Sequence, residues 1–103
     1  MTSKYRAKPC VIDGLRFASQ KEGRRYQELK LLAKAGQISD LECQVKFPLE
    51  VNGIKVCTYI ADFIYRTKDR RVITEDVKGV LTPVYRLKKK LMLAIKGITI
   101  SEV

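Results

Sequence analysis

Histidine is absent from this chain, and cysteine and proline number only three each. Without histidine there is no His-based catalytic triad and no HExxH-type metal site, so any hydrolysis falls to carboxylates, lysine and metal-bound water. Cys10, Cys43 and Cys57 are odd in number, widely spaced and form no CxxC pair. That argues against structural zinc or a disulfide framework and for thiols in a reducing compartment. No apolar run approaches the ~20 residues of a membrane span, and Met1 to Lys8 is polar and basic with no apolar stretch behind it. The expected location is therefore the cytoplasm, with no membrane partner. Acids are also short: 11 Asp and Glu face 21 Lys and Arg, a net charge of +10. Such an excess on a small surface favours a polyanionic partner, most simply nucleic acid.

At 103 residues the chain is long enough for one domain with a modest core. It opens with a basic arm, residues 1–9, whose Lys4, Arg6 and Lys8 are candidates for phosphate contact. A turn at Asp13-Gly14 is expected to pack Leu15 and Phe17 on the core. Ser19 then starts a helix predicted to reach about Ala35 and stop at Gly36. Glu22, Tyr26, Leu29 and Ala33 form its inward stripe. Ser19-Gln20-Lys21-Glu22 also matches a capping box, so Glu22 reads either as a helix cap or as an acid approaching a site.

Ile38 to Val51 is predicted as a strand, with Pro48 pointing to an edge position or a bulge. Asn52-Gly53 is a two-residue hairpin signal leading into a second strand, Ile54 to Arg66. This pairing places Cys43 opposite Asp62, with Gln44 one step along. Asp62 has Ile60 and Ile64 on its own face and is expected to be half-buried.

Thr67 to Arg71 suits a hairpin turn, followed by a third strand from Val72 to Gly79. That strand ends on two acids and a lysine before a glycine. Asp76 and Lys78 share a face and Glu75 takes the other. If Arg66 pairs with Val72, Asp62 comes opposite Asp76; a slip of one residue would bring Glu75 or Val77 there instead. Like charges across a ladder repel, and a hard divalent cation would relieve the repulsion.

Thr82-Pro83 caps a second helix running to about Lys96 and ending at Gly97. Val84, Leu87, Leu91 and Ile95 form its predicted apolar stripe, opposite Arg86, Lys89, Lys90 and Lys96. Lys88 falls beside the stripe, as a snorkelling side chain or as a phosphate contact. Residues 97–101 are predicted as a last short strand.

The order is α+β: helix, three-stranded meander, helix, strand, with a mixed central sheet flanked by helices. This αβββαβ order, with Asp62 on the second strand and Asp76-Val77-Lys78 on the third, resembles the PD-(D/E)xK nuclease superfamily of restriction enzymes and Holliday junction resolvases. Tyr59 to Phe63, Glu75 to Gly79 and Phe17 to Glu22 are similar to a family of small phage-encoded proteins assigned to that superfamily. Ala61 stands where the motif's name has proline.

The resemblance implies a restriction-endonuclease-like core and a metal-dependent DNA endonuclease, structure-selective for branched DNA or nicking, acting in the bacterial host. It makes Asp62 and Asp76 the motif's acids, Lys78 its lysine and Glu22 an additional first-helix acid. The implied cofactor is Mg²⁺ or Mn²⁺, held by Asp62, Asp76, the Val77 carbonyl and Glu22. Arg24, Arg25, Arg86, Lys88, Lys89 and Lys90 join the arm as candidate DNA-backbone contacts. Matched cuts across a junction would suit a homodimer. The alternative is a DNA-binding protein on a nuclease scaffold that no longer cuts.

Overall fold

The computed structural model describes residues 8–103; Lys4 and Arg6 of the expected arm lie outside these described residues, and Lys8 is exposed. A two-stranded antiparallel ribbon, β1 (Cys10–Ile12) and β2 (Leu15–Phe17), comes first. Its turn forms as expected because Asp13 and Gly14 both take positive φ, 52° and 76°, the conformation a two-residue hairpin needs. The helix α1 (Gln20–Lys34) follows. The Ser19 hydroxyl caps it by accepting from the Glu22 N–H at 3.1 Å, and Gly36 ends it in the left-handed conformation at φ 77°.

The main sheet has strand order β3 (Ile38–Val51), β4 (Ile54–Thr67), β5 (Val72–Asp76), β6 (Ile100–Glu102). The first three are antiparallel neighbours, and β6 joins β5 in parallel after the crossover through α2 (Pro83–Leu91). The fold is α+β with a mixed four-stranded sheet, preceded by the small ribbon. Pro48 sits on β3, an edge strand, where its missing N–H costs no ladder bond.

Two apolar clusters flank the sheet. Phe17, Tyr26, Leu29, Phe63, Tyr65 and Val77 fill the α1 side, with Phe17 and Tyr26 ring centroids 5.0 Å apart. Leu49, Tyr59, Ala61, Tyr85, Met92 and Ile100 fill the α2 side. Residues two apart on a strand normally share a face. On β4, however, Tyr59 and Ala61 enter the α2 cluster whereas Phe63 and Tyr65 enter the α1 cluster. The faces exchange at Asp62. Across the ladder, between the pairs Cys43–Phe63 and Val45–Ala61, lies Gln44 with φ 54°, a left-handed residue within a strand. Asp62 thus stands at a seam between the two layers, not on a plain face with Ile60 and Ile64; Ile60 is exposed and Ile64 half-buried.

Three other expectations are corrected. A register shift between Leu49 and Glu50 moves the β3–β4 pairing by one, so Cys43 pairs with Phe63, and Gln44, not Cys43, falls opposite Asp62. β5 stops at Asp76, not Gly79, because the Val77 N–H turns to the Asp62 carboxylate and leaves the β4 ladder, while on the β6 side the Lys78 N–H still donates to the Val103 carbonyl. On α2 the buried side chains are Tyr85 and, in the π-helical turn Met92–Lys96 that extends it, Met92. Val84 and Leu87 of the predicted stripe are 62% and 57% exposed. The helix is rolled by about one residue, which turns Lys88 toward the sheet and gives the Tyr85 hydroxyl a partner in Glu102 at 2.7 Å.

Candidate active site

The β4–β5 register is the one in which Arg66 pairs with Val72. The last ladder pair is Phe63–Glu75, so the next position along both strands brings Asp62 to Asp76. Glu75 and Asp76 point to opposite sides of the sheet, as strand alternation requires. Glu75 faces α1 and is 1% exposed. Arg25 clamps it with two bonds, Nε–H to Oε1 at 2.9 Å and Nη2–H to Oε2 at 2.6 Å, and the Tyr65 hydroxyl donates to Oε2. This is an ion pair with a buried carboxylate and a half-buried guanidinium. Arg25, a candidate DNA contact, thus commits two of its N–H donors inside the protein, and the bond to Glu75 holds its pKa above the ordinary arginine range.

Asp76 faces the other layer and is 3% exposed. The Tyr59 hydroxyl donates to Oδ2 at 2.6 Å, and the Lys78 ammonium lies 2.9 Å from Oδ1. That ammonium also sits 3.8 Å from the centroid of the Tyr85 ring, a cation–π contact. Burial first, then the bond to Asp76, raises the Tyr59 pKa well above the usual phenol range.

Asp62 accepts the Val77 N–H on Oδ2 at 2.7 Å. Its carboxyl is within hydrogen-bonding reach of Glu22 and feels the charge of Asp76. Burial first, then the like charges of Glu22 and Asp76, push its pKa up to about 8 against the opposing Val77 N–H. Glu22 combines both readings of its motif. Its amide is capped by Ser19, and its Oε2 accepts the Ala18 N–H at 3.2 Å, one residue before the cap; the same carboxylate approaches Asp62. Lys21 ties this helix start to the motif by donating to the Lys78 carbonyl at 2.8 Å.

Glu22 of the helix therefore lies beside Asp62 of β4, Asp62 feels the charge of Asp76 on the neighbouring strand, and Lys78 pairs with Asp76. Among the described residues no three His, Cys, Asp or Glu side chains stand close enough to enclose an ion by themselves. The donor set suits Mg²⁺ or Mn²⁺ nonetheless, since such ions take one or two carboxylates and complete their shells with water and phosphate oxygens. Asp62 and Asp76, next to each other in the β4–β5 register, supply that pair.

The cleft beside Asp76 and Lys78 has a volume of about 290 Å³ and is also lined by Thr58, Thr82 and Lys88. Lys88 is half-buried there, its place compatible with either reading. Arg24, Arg86 and Lys90 are exposed, whereas Lys89 is held by Glu102 at 2.9 Å. Tyr59, Tyr85, Lys21 and Glu102 were not legible as site residues. The available signal was chemical: a tyrosine in an apolar core needs a partner for its hydroxyl.

A stability test follows from Asp62. Its folded pKa lies above the unfolded value of 3.8, so between the two the folded state binds more protons and stability falls as pH rises, the loss being complete above about 8. Asp62→Asn, which mimics the protonated side chain, is expected to match wild type near pH 5. At pH 8.5 without divalent cation it should be more stable by about 2 kcal/mol, or ~10 °C in melting temperature. Thermal melts at the two pH values check this; equal differences at both would contradict it.

The fold is α+β, with an acid-and-lysine site at the end of β5. The chain belongs to the family described as "Protein of unknown function (DUF1064)", whose model matches residues 2–98. No curated protein and no solved structure matches it. No helix among the described residues is long and apolar enough to cross a membrane.

Proposed function

We propose that the protein is a metal-dependent DNA endonuclease. The observation that carries this reading is the placing of Asp62 and Asp76 at neighbouring positions of β4 and β5, with Glu22 beside Asp62 and Lys78 against Asp76. A divalent ion bound there supplies an acidified water and positive charge at the phosphate oxygens. Asp62 and Asp76 would hold it, with the Val77 carbonyl and, directly or through water, Glu22. Lys78 would orient the attacking water or neutralise charge developing at the scissile phosphate. Lys88 and the exposed Arg24, Arg86 and Lys90 would grip the backbone, and the net charge of +10 supports a polyanionic substrate. The order of elements and the D-x-K motif, which begins on the last residue of β5, support membership of the PD-(D/E)xK superfamily and kinship with small phage-encoded nucleases acting in the host cytoplasm.

One domain without a separate recognition module suits selectivity for DNA shape, such as a four-way junction, or simple nicking. The deciding experiment is a cleavage panel of linear, nicked, branched and single-stranded DNA with Mg²⁺ or Mn²⁺, alongside a mass measurement of the oligomer. Cation-dependent cutting of any member supports the reading; binding without cutting supports the alternative. That alternative, a DNA-binding scaffold that no longer cuts, is favoured by one observation: both Asp76 oxygens already have partners in Tyr59 and Lys78. Titration with Mg²⁺ or Ca²⁺ separates the two, since a nuclease site should give binding heat that Asp62→Ala removes.

A further inference from the structure

Lys78 is held from two directions by the last strand. Along the backbone, its N–H donates to the Val103 carbonyl at 3.1 Å, and the Val103 N–H donates to the Asp76 carbonyl at 3.0 Å. The two motif residues are thus bracketed by one residue and cannot change their spacing without breaking both bonds. Through side chains, the ammonium of Lys78 rests on the Tyr85 ring at 3.8 Å, the Tyr85 hydroxyl donates to Glu102 Oε2 at 2.7 Å, and Lys89 contacts that same oxygen at 2.9 Å. Glu102 and Val103 lie beyond residues 2–98 matched by the family model, whereas Asp76, Lys78 and Tyr85 lie within them.

A lysine has four rotatable side-chain bonds and a strongly hydrated head, so a single ion pair leaves it mobile. Here the ammonium is confined between a carboxylate and the face of an aromatic ring, and the ring is itself anchored at its far edge. We propose that Tyr85 and Glu102 are positioning residues for Lys78: the anchored ring holds the ammonium against Asp76 and in the cleft. Its consequence for catalysis rests on the endonuclease reading above; the hold on Lys78 does not.

The test therefore uses a readout that needs no activity. Brief acetylation with acetic anhydride, followed by peptide mass spectrometry, compares labelling of Lys78 with that of exposed Lys90 in the same chain. Tyr85→Leu is expected to raise the Lys78 to Lys90 ratio roughly five- to tenfold, since the ring is removed. Tyr85→Phe, which keeps the ring, should raise it less than about threefold, and Glu102→Ala, which removes the acceptor of the Tyr85 hydroxyl, by about twofold to threefold.

If wild type cuts DNA, Tyr85→Leu should lower kcat about tenfold with KM changed less than twofold, and Tyr85→Phe should restore most of it. Unchanged Lys78 labelling in folded Tyr85→Leu overturns the proposal. Should that variant not fold, unchanged labelling in Glu102→Ala, which removes the acceptor of the Tyr85 hydroxyl from an exposed position, overturns it equally. A wild type that never cuts DNA, with labelling rising as described, would refute the endonuclease reading and leave the positioning role supported.

Discussion

Asp76→Asn is expected to lower cation-dependent cleavage by on the order of 10³-fold while leaving the fold within about 1 kcal/mol of wild type. The substitution keeps the side chain's volume, and an amide oxygen can still accept the Tyr59 hydroxyl that now reaches Oδ2 at 2.6 Å. What disappears is the negative charge, and with it both the ion pair to Lys78 and one of the two carboxylates available to a divalent ion. Lys78 keeps the Tyr85 ring as its remaining partner. If, as proposed, the acid and the lysine act on the same phosphate, their losses should not add: Asp76→Asn combined with Lys78→Ala is expected to cut no more than a fewfold slower than the worse single variant. The measurements are single-turnover cleavage and calorimetric titration with Mg²⁺. Retained cleavage together with retained binding heat in Asp76→Asn would remove Asp76 from the site.

The parts of this arrangement that could be read from the sequence are those set by local chemistry. A polar stretch of fixed length between Arg66 and Val72 determines the hairpin register, and that register alone carries Asp62 to Asp76. Ser19 and Gly36 delimit α1 because a cap hydroxyl and a left-handed glycine act on their own helix ends. The parts that were illegible depend on partners distant in the chain. Pro48 allows an edge position or a bulge but does not say which, so the one-residue shift between Leu49 and Glu50 that replaces Cys43 by Gln44 opposite Asp62 could not be counted in. The left-handed Gln44, where the faces of the sheet exchange, is a non-glycine residue and carries no local signal. The roll of α2 brings Tyr85 inward, where its ring meets Lys78 and its hydroxyl meets Glu102, although Val84 and Leu87 have the better apolar spacing. Periodicity counts hydrophobic area and is blind to such contacts.

Arg25→Ala is expected to destabilise the protein by about 3–5 kcal/mol, a large share of the roughly 5–15 kcal/mol that holds a domain of this kind together. The reason is the residue left behind. Glu75 is 1% exposed, and without the guanidinium its charge would keep only the Tyr65 hydroxyl as a partner. A buried ion pair is weak evidence of net stabilisation, however, since both charges had to leave water to form it. Replacing the pair together, Arg25→Met with Glu75→Leu, should therefore recover most of the loss and lie within about 2 kcal/mol of wild type. Urea unfolding of the two single variants and the double variant measures the coupling; a double variant as unstable as Arg25→Ala would show that the clamp stabilises the fold by more than its own desolvation. The same series distinguishes the adjacent acids of β5. Glu75 lies on the α1 side of the sheet and Asp76 on the α2 side, so once the fold is restored in the double variant, Mg²⁺ binding at the Asp62–Asp76 site should return with it.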